Sequence, residues 1–232
     1  MKYDEFIGAA KRLDDIDLPA IGALIGVGED EIHAVIDAET SGSGFDSKGR
    51  PKMLFEPHIF YRLLSGEERD TAVKLGLAYK KWGQKRYPRD SYPRLMKAMA
   101  INDQTALMSA SWGLGQIMGF NYRQAGYQTV YEMVRSFVND EEAHLMAMIK
   151  FIEANGLDDE LRAHDWCGFA RGYNGPGYTR NKYHVKLEKA YNKWALIRDT
   201  PYDPKRPQAA APKLDFLKIL ESILSAIRGG KK

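Results

Sequence analysis

Asp30-Glu31-Ile32-His33-Ala34-Val35-Ile36-Asp37-Ala38-Glu39 runs straight into Thr40-Ser41-Gly42-Ser43-Gly44. Ile32, Val35 and Ile36 recur at helical spacing, and Glu39 takes the next position of the same stripe. The spacing predicts a helix over 29–39 whose last turn sends a glutamate out of its buried side. Burial without a cation disfavours the charged carboxylate and raises its pKa. A glutamate held protonated near neutral pH suits general acid catalysis. The Gly/Ser run then breaks the helix, which would leave Glu39 at the lip of a cleft. A solvated or capping glutamate is the plainer reading of a helix end, and this stretch alone does not choose.

Helical periodicity continues on both sides. The pattern predicts helices over about 3–13, 18–26, 56–64, 67–82, 91–100, 103–109, 112–118, 121–125, 129–138, 140–154, 157–161, 165–171 and 178–198. The segment 140–154 is the cleanest. Leu145, Met148, Ile149 and Ile152 form its stripe, Asp140 and Glu141 open it, and Asn155-Gly156 stops it. One strand signal stands out: Asp46-Ser47-Lys48-Gly49 reads as a turn and Lys52-Met53-Leu54-Phe55 as a strand after it. The expected fold is therefore mainly α, with a small β-hairpin directly after the Glu39 helix.

Two further segments carry unusual chemistry. Ser111-Trp112-Gly113-Leu114-Gly115-Gln116-Ile117-Met118-Gly119 is too rich in glycine for a helix unless close backbone approach requires it. Gln116 there is either satisfied internally at a tight crossing or offers an amide to a ligand. Ala170-Arg171-Gly172-Tyr173-Asn174-Gly175-Pro176-Gly177-Tyr178 places an aromatic face, a hydroxyl and an amide just before an obligatory turn. That combination suits sugars, although Tyr173 and Asn174 can equally satisfy local backbone.

Taken in order, the three segments resemble the lysozyme-like superfamily, which includes lytic transglycosylases, goose-type lysozymes and phage endolysins. Glu39-Thr40 is similar to its Glu-Ser motif. Gly113 to Met118 is similar to Gly-Leu-Met-Gln, and Gly172 to Gly177 to Ala-Tyr-Asn-Ala-Gly. A closer resemblance is to phage-type N-acetylmuramidase endolysins, through Gly42–Phe45, Gly49-Arg50-Pro51, Leu54–Phe60 and Ala106–Gly113. It covers roughly residues 3 to 195. Thr40 stands where serine is usual and keeps the hydroxyl. Gly115 stands where transglycosylases carry methionine, which favours the endolysin side.

The resemblance implies a lysozyme-like domain and cleavage of peptidoglycan between N-acetylmuramic acid and N-acetylglucosamine. Glu39 is then the general acid. Hydrolysis normally wants a second carboxylate. Glu56, after the expected strand, is the candidate, with Asp46 a weaker one. A purely structural Glu56 opening the next helix is the alternative. Thr40, Gln116, Tyr173 and Asn174 are expected to hold sugar or orient the acid. Trp112 is expected either to stack on a sugar or to fill the core. No cofactor is implied, and the five histidines show no paired metal-ligand spacing. A lytic transglycosylase, a silent wall-binding module and a toxin acting through its tail are competing readings.

Composition limits the rest. A net charge of +3 from 34 basic and 31 acidic residues does not suggest nucleic acid as a partner. Cys167 is the only cysteine and is expected to be small, apolar and buried beside Trp166 and Phe169. No apolar run has signal-peptide or membrane-spanning length. Synthesis in the cytoplasm and action on the cell wall after release or export are expected. The domain is expected to span 1–199. Residues 200–212 hold four prolines and read as an extended linker. In 213–232, Leu217, Leu220, Leu224 and Ile227 share one face of an amphipathic helix. Its expected partner is a bilayer surface, another protein, a second copy or the catalytic domain itself.

Overall fold

The computed structural model describes residues 2–40 and 42–203. The expected C-terminal helix and most of the linker lie outside these residues.

The glutamate-bearing stretch folds as helix α2 (Glu29–Thr40), with Ile32, Val35 and Ile36 buried. Three acidic residues occupy its first turn, where the helix dipole favours negative charge. α1 (Asp17–Gly22) precedes it, and α3 (Pro57–Leu63), α4 (Gly66–Lys74), α5 (Tyr92–Met99) and α6 (Asp103–Met108) follow. Then come α7 (Val130–Phe137), α8 (Glu141–Ala154), α9 (Asp158–Arg162), α10 (Trp166–Asn174) and α11 (Tyr183–Trp194).

α8 holds the molecule together. Asp140 caps it through the Glu142 amide at 2.9 Å. Its Leu145, Met148, Ile149 and Ile152 pack with α2, α9 and α10 in one core, around Ile32, Val35, Leu161 and Phe169. Its Ala147 and Phe151 belong to a second core built on Phe6, Phe55, Phe60, Leu107, Trp112 and Phe137. A helix apolar around most of its circumference is a central one. Here it separates two lobes, and the ends of α2 and α10 meet above it.

The sheet is small and antiparallel, with β2 (Ala110–Trp112) between β1 (Met53–Phe55) and β3 (Ile117–Met118). Met53 faces Trp112, Phe55 faces Ala110, and Ser111 faces Met118. The turn at 46–49 forms where expected, closed by Gly49 N–H donating to the Asp46 carbonyl at 3.1 Å and by a Phe45–Pro51 bridge.

Several expectations fail. Residues 112–118 form a hairpin rather than a helix. Gly113 at φ +70° and Gln116 at φ +46° make a turn that no α-helix contains. Gly113 is also required sterically, because a Cβ would sit 2.8 Å from His144 Cγ. Residues 3–13 keep only a single 3₁₀ turn, Tyr3–Phe6. The helix expected over 67–82 stops at Lys74, after which the chain is irregular to Ser91. Cys167 is exposed, because α10 buries Trp166, Phe169 and Ala170 and turns residue 167 outward. Among the described residues, no helix is long and apolar enough to cross a membrane.

Candidate active site

The C-terminal turn of α2 brings Glu39 into a groove between the lobes. One arm, about 730 Å³, is lined by residues that include Glu39, Glu56, Trp82, Gln116, Tyr173 and Asn174. A second arm of about 650 Å³ lies beyond it, along Thr40, Lys48, Lys52, Arg89 and Tyr92. Glu39 and Gln116 line both. The acid therefore sits part-way along an elongated channel. A separate hollow of about 540 Å³ on the far face of α2 contains Trp194 and Asp30 but not Glu39.

Glu39 keeps a partial opening to the groove, while the atoms packed around it strip most of its hydration. This desolvation pushes its pKa up to about 7, against a lowering by the hydrogen bond from Asn174 and by the charge of Lys186. Asn174 Nδ2 donates to Glu39 Oε1 at 2.6 Å. Among the described residues Oε2 has no hydrogen-bond partner, which leaves it to the groove. Asn174 ends α10, whose N-terminus is capped by Asp165 through the Gly168 amide at 2.9 Å. Gly175 at φ +78° then lets the chain leave the helix.

Tyr173 braces the same corner. Its hydroxyl donates to the Gly115 carbonyl at 2.7 Å, and its ring stacks on Phe169 with centroids 5.3 Å apart. Gly115 must be small: a Cβ would approach the Tyr173 hydroxyl to 2.7 Å and Met148 Cγ to 2.9 Å. Gln116 is engaged on both ends of its amide. Oε1 accepts from Ser111 Oγ at 2.9 Å, and Nε2 donates to the Gly113 carbonyl at 3.0 Å. The side chain shapes the groove by stiffening the β2–β3 turn. The Thr40 hydroxyl is buried and donates back to the Ile36 carbonyl at 3.2 Å.

Glu56 lies at the N-cap of α3, in the same arm as Glu39. Its Oε2 accepts from the Tyr87 hydroxyl, and His58 Nδ1 stands 3.1 Å away without hydrogen-bond alignment. Tyr183 feels both carboxylates. Burial first, then Glu39 and Glu56, push its phenol up to about 12.

Two candidates from the sequence are corrected. Trp112 is fully buried, stacked on Phe6 at 5.9 Å with its Nε1–H donating to the Leu107 carbonyl at 3.0 Å. No face is left for a sugar. Asp46 lines the second arm, but its Oδ2 is engaged by Arg50, whose Nε and Nη2 reach it at 2.8 and 2.6 Å. Its Oδ1 accepts from the Lys48 and Arg50 amides, which makes it a structural acid of the turn. Arg50 itself is buried, lies over the Tyr92 ring at 4.0 Å and also meets Asp90 at 3.2 Å. Local pattern does not mark that hub, because its partners come from three segments: Asp46, the Asp90–Tyr92 stretch, and Tyr3, whose hydroxyl accepts from Arg50 Nη1 at 2.6 Å.

The loop after Glu39 is also anchored by a residue the sequence did not single out. Glu141 is buried at the start of α8, and its Oε1 accepts from the Gly44 amide at 2.7 Å. Its Oε2 pairs with Arg12 Nε at 3.0 Å.

A mainly helical, two-lobed fold with an acid at the end of one helix, facing a groove, is that of lysozyme-like enzymes. The model of the N-acetylmuramidase family matches residues 29–195, and the chain belongs to that family. It is thus a glycoside hydrolase of the muramidase class. Among solved structures, it resembles the crystal structure of the Burkholderia AP3 phage endolysin at 34% identity and a TM-score of 0.71. That match covers 81% of this chain and 73% of the other. No curated protein sequence matches the chain significantly.

Proposed function

We propose that the chain is an endolysin-type N-acetylmuramidase that cleaves the β-1,4 bond from N-acetylmuramic acid to N-acetylglucosamine in peptidoglycan, with Glu39 as its general acid. The observation that carries this reading is the desolvated Glu39 carboxyl, with one oxygen held by Asn174 and the other open to a groove running past it in both directions. A pKa near 7 keeps a large fraction of the acid protonated at neutral pH. Glu39 gives its proton to the leaving glycosidic oxygen as positive charge grows on the sugar ring. Asn174 then stabilises the carboxylate that remains.

Glu56 is the second carboxylate of the scheme, turned into the same arm and oriented by Tyr87. Its role is to orient the attacking water or to oppose the developing cation. A second acid in the groove favours hydrolysis over transglycosylation, which needs no external water. Tyr173, Gln116 and Thr40 shape the floor, and Asn174 positions the acid. Residues 213–232 provide a second contact, to a bilayer surface or a protein partner. Vesicle co-sedimentation with and without residues 200–232 tests that role, and equal binding by both forms removes the membrane partner.

Digestion of purified peptidoglycan by the wild type and by Glu39→Gln, read by mass spectrometry, tests the main proposal. Reducing muramic ends released only by the wild type are expected. Products lighter by one water would identify a transglycosylase. Equal release by both proteins would remove Glu39 from the chemistry.

A further inference from the structure

Between α4 and α5 runs Tyr79-Lys80-Lys81-Trp82-Gly83-Gln84-Lys85-Arg86-Tyr87-Pro88-Arg89-Asp90. It holds five cations against one acid, a larger positive excess than the +3 of the entire chain. Lys80, Lys81, Lys85, Arg86 and Arg89 are all exposed, and none forms an ion pair among the described residues. A charge run of this kind is ordinarily a solvated face. Three features of its placement argue for a ligand.

First, the loop is pinned. Leu77 and Ala78 enter the core, the Tyr87 hydroxyl reaches Glu56, and Asp90 meets Arg50. Long irregular segments inside a compact unit are commonly functional. Secondly, it borders the groove on both sides of Glu39: Trp82 and Tyr87 line one arm, and Arg89 and Asp90 the other. Among its cations Arg89 lines the second arm, and Lys80, Lys81, Lys85 and Arg86 stand exposed on the stretch of loop that joins the two arms, outside the groove floor where side branches of a bound strand would project. Thirdly, the opposite lip continues the same sign, with the Arg180 guanidinium lying over the half-exposed Trp82 ring at 5.0 Å.

A glycan with muramic acid residues is uncharged along its sugars and anionic on its side branches. The lactyl group of each muramic acid carries a short peptide that ends in carboxylates. Bound in this groove, such a strand would present those carboxylates at intervals along one lip. We infer that residues 79–90 form a cationic rail that holds the stem-peptide carboxylates of the glycan lying in the groove. The inference rests on the muramidase reading. It adds that the enzyme recognises the peptide-bearing polymer and not the sugar backbone alone. Exposed pairs are individually weak, and several acting together are needed for a measurable contribution.

The test compares the full-length wild type with a variant carrying Lys80→Gln, Lys81→Gln, Lys85→Gln and Arg86→Gln. The two substrates are intact peptidoglycan and glycan strands stripped of their stems by an amidase, which leaves on each muramic acid a single lactyl carboxylate held against the ring in place of the more distant carboxylates of the stem. At low salt the wild type is expected to show a KM about tenfold lower on the intact polymer. Raising the salt is expected to close that gap. The variant should lose the preference, with kcat and its kinetics on stripped strands unchanged. A wild type that treats both substrates alike overturns the rail, as does a variant that keeps the preference.

Co-sedimentation in a Glu39→Gln background needs no turnover and separates the two proposals. A binding preference for intact over stripped strands, lost with the four cations, supports the rail even if no bond is cleaved. Phosphatidylglycerol vesicles supply the competing anion. If the four substitutions abolish vesicle binding but leave affinity for intact peptidoglycan unchanged, lipid phosphate is the ligand and the rail is overturned.

Discussion

Replacing Asn174 by alanine should move the alkaline limb of the pH–activity profile upward. The Asn174 Nδ2–Glu39 Oε1 bond of 2.6 Å stabilises the ionised carboxylate and holds its pKa below what desolvation alone would set. Without that donor the protonated acid gains relative stability, so its pKa rises above about 7. A hydrogen bond to a charged group contributes roughly 1.5–3 kcal/mol, and one pKa unit corresponds to about 1.36 kcal/mol. That would give about one to two units in a dry site. Water entering from the groove will replace part of the lost bond, so about one unit is expected. The assay is kcat/KM against pH on solubilised glycan, because this quantity reports the free enzyme's acid. The plateau should fall as well, since Asn174 also fixes the direction of the proton donor. A limb that stays in place or moves down would refute the assignment of Glu39 as the titrating acid.

The burial of Glu39 should cost stability, so Glu39→Gln should stabilise the fold at alkaline pH. A carboxyl raised from 4.5 to about 7 on folding favours the native state when protonated. That advantage is lost as pH rises through this window. The difference amounts to roughly 3 kcal/mol, and about 2 kcal/mol after allowance for the open groove. At pH 8 the variant's Tm should be about 4–8 °C higher than the wild type's, and at pH 4 equal to it. Buried His144 acts in the opposite sense. Desolvation holds its pKa down at about 4, so stability is lost as pH falls from 6.5 toward 4. Urea titrations of Glu39→Gln should expose that slope between pH 4.5 and 6.5, where the two groups nearly cancel in the wild type. Trp112→Phe should lower stability by about 1–3 kcal/mol through a core void while leaving KM unchanged. A KM raised severalfold would return Trp112 to the sugar site. Glu56→Gln should reduce kcat by about 100-fold or more with binding retained, and unchanged kcat would make Glu56 a structural cap.

Local pattern and short-range spacing were sufficient for the parts of the fold that obey one periodicity. The stripe Ile32, Val35, Ile36, Glu39 specified both the helix and the burial of its last acid, because a 3.6-residue repeat puts those side chains on one face. α8, capped by Asp140 and stopped by Asn155-Gly156, was legible for the same reason. The motif residues Glu39, Gln116, Tyr173 and Asn174 stood out by type, and they converge on one groove although up to 135 positions separate them.

What the tertiary structure decided is the use of each group, since that depends on partners remote in the chain. Residues 112–118 became a hairpin because β2 pairs with β1, more than fifty residues earlier, and because His144 closes on Gly113. Trp112 went to the core and Asp46 to Arg50 for similar reasons: Phe6, Tyr92 and Asp90 complete those contacts from other segments. Cys167 was misread because a neighbouring Trp166 and Phe169 do not determine which way the intervening residue turns. The pKa of Glu39 belongs to this second category. The sequence placed an acid on an apolar stripe. The raised pKa comes from desolvation by groups that only folding packs around the carboxylate, and α10 and α11 bring in the Asn174 bond and Lys186 charge that limit it.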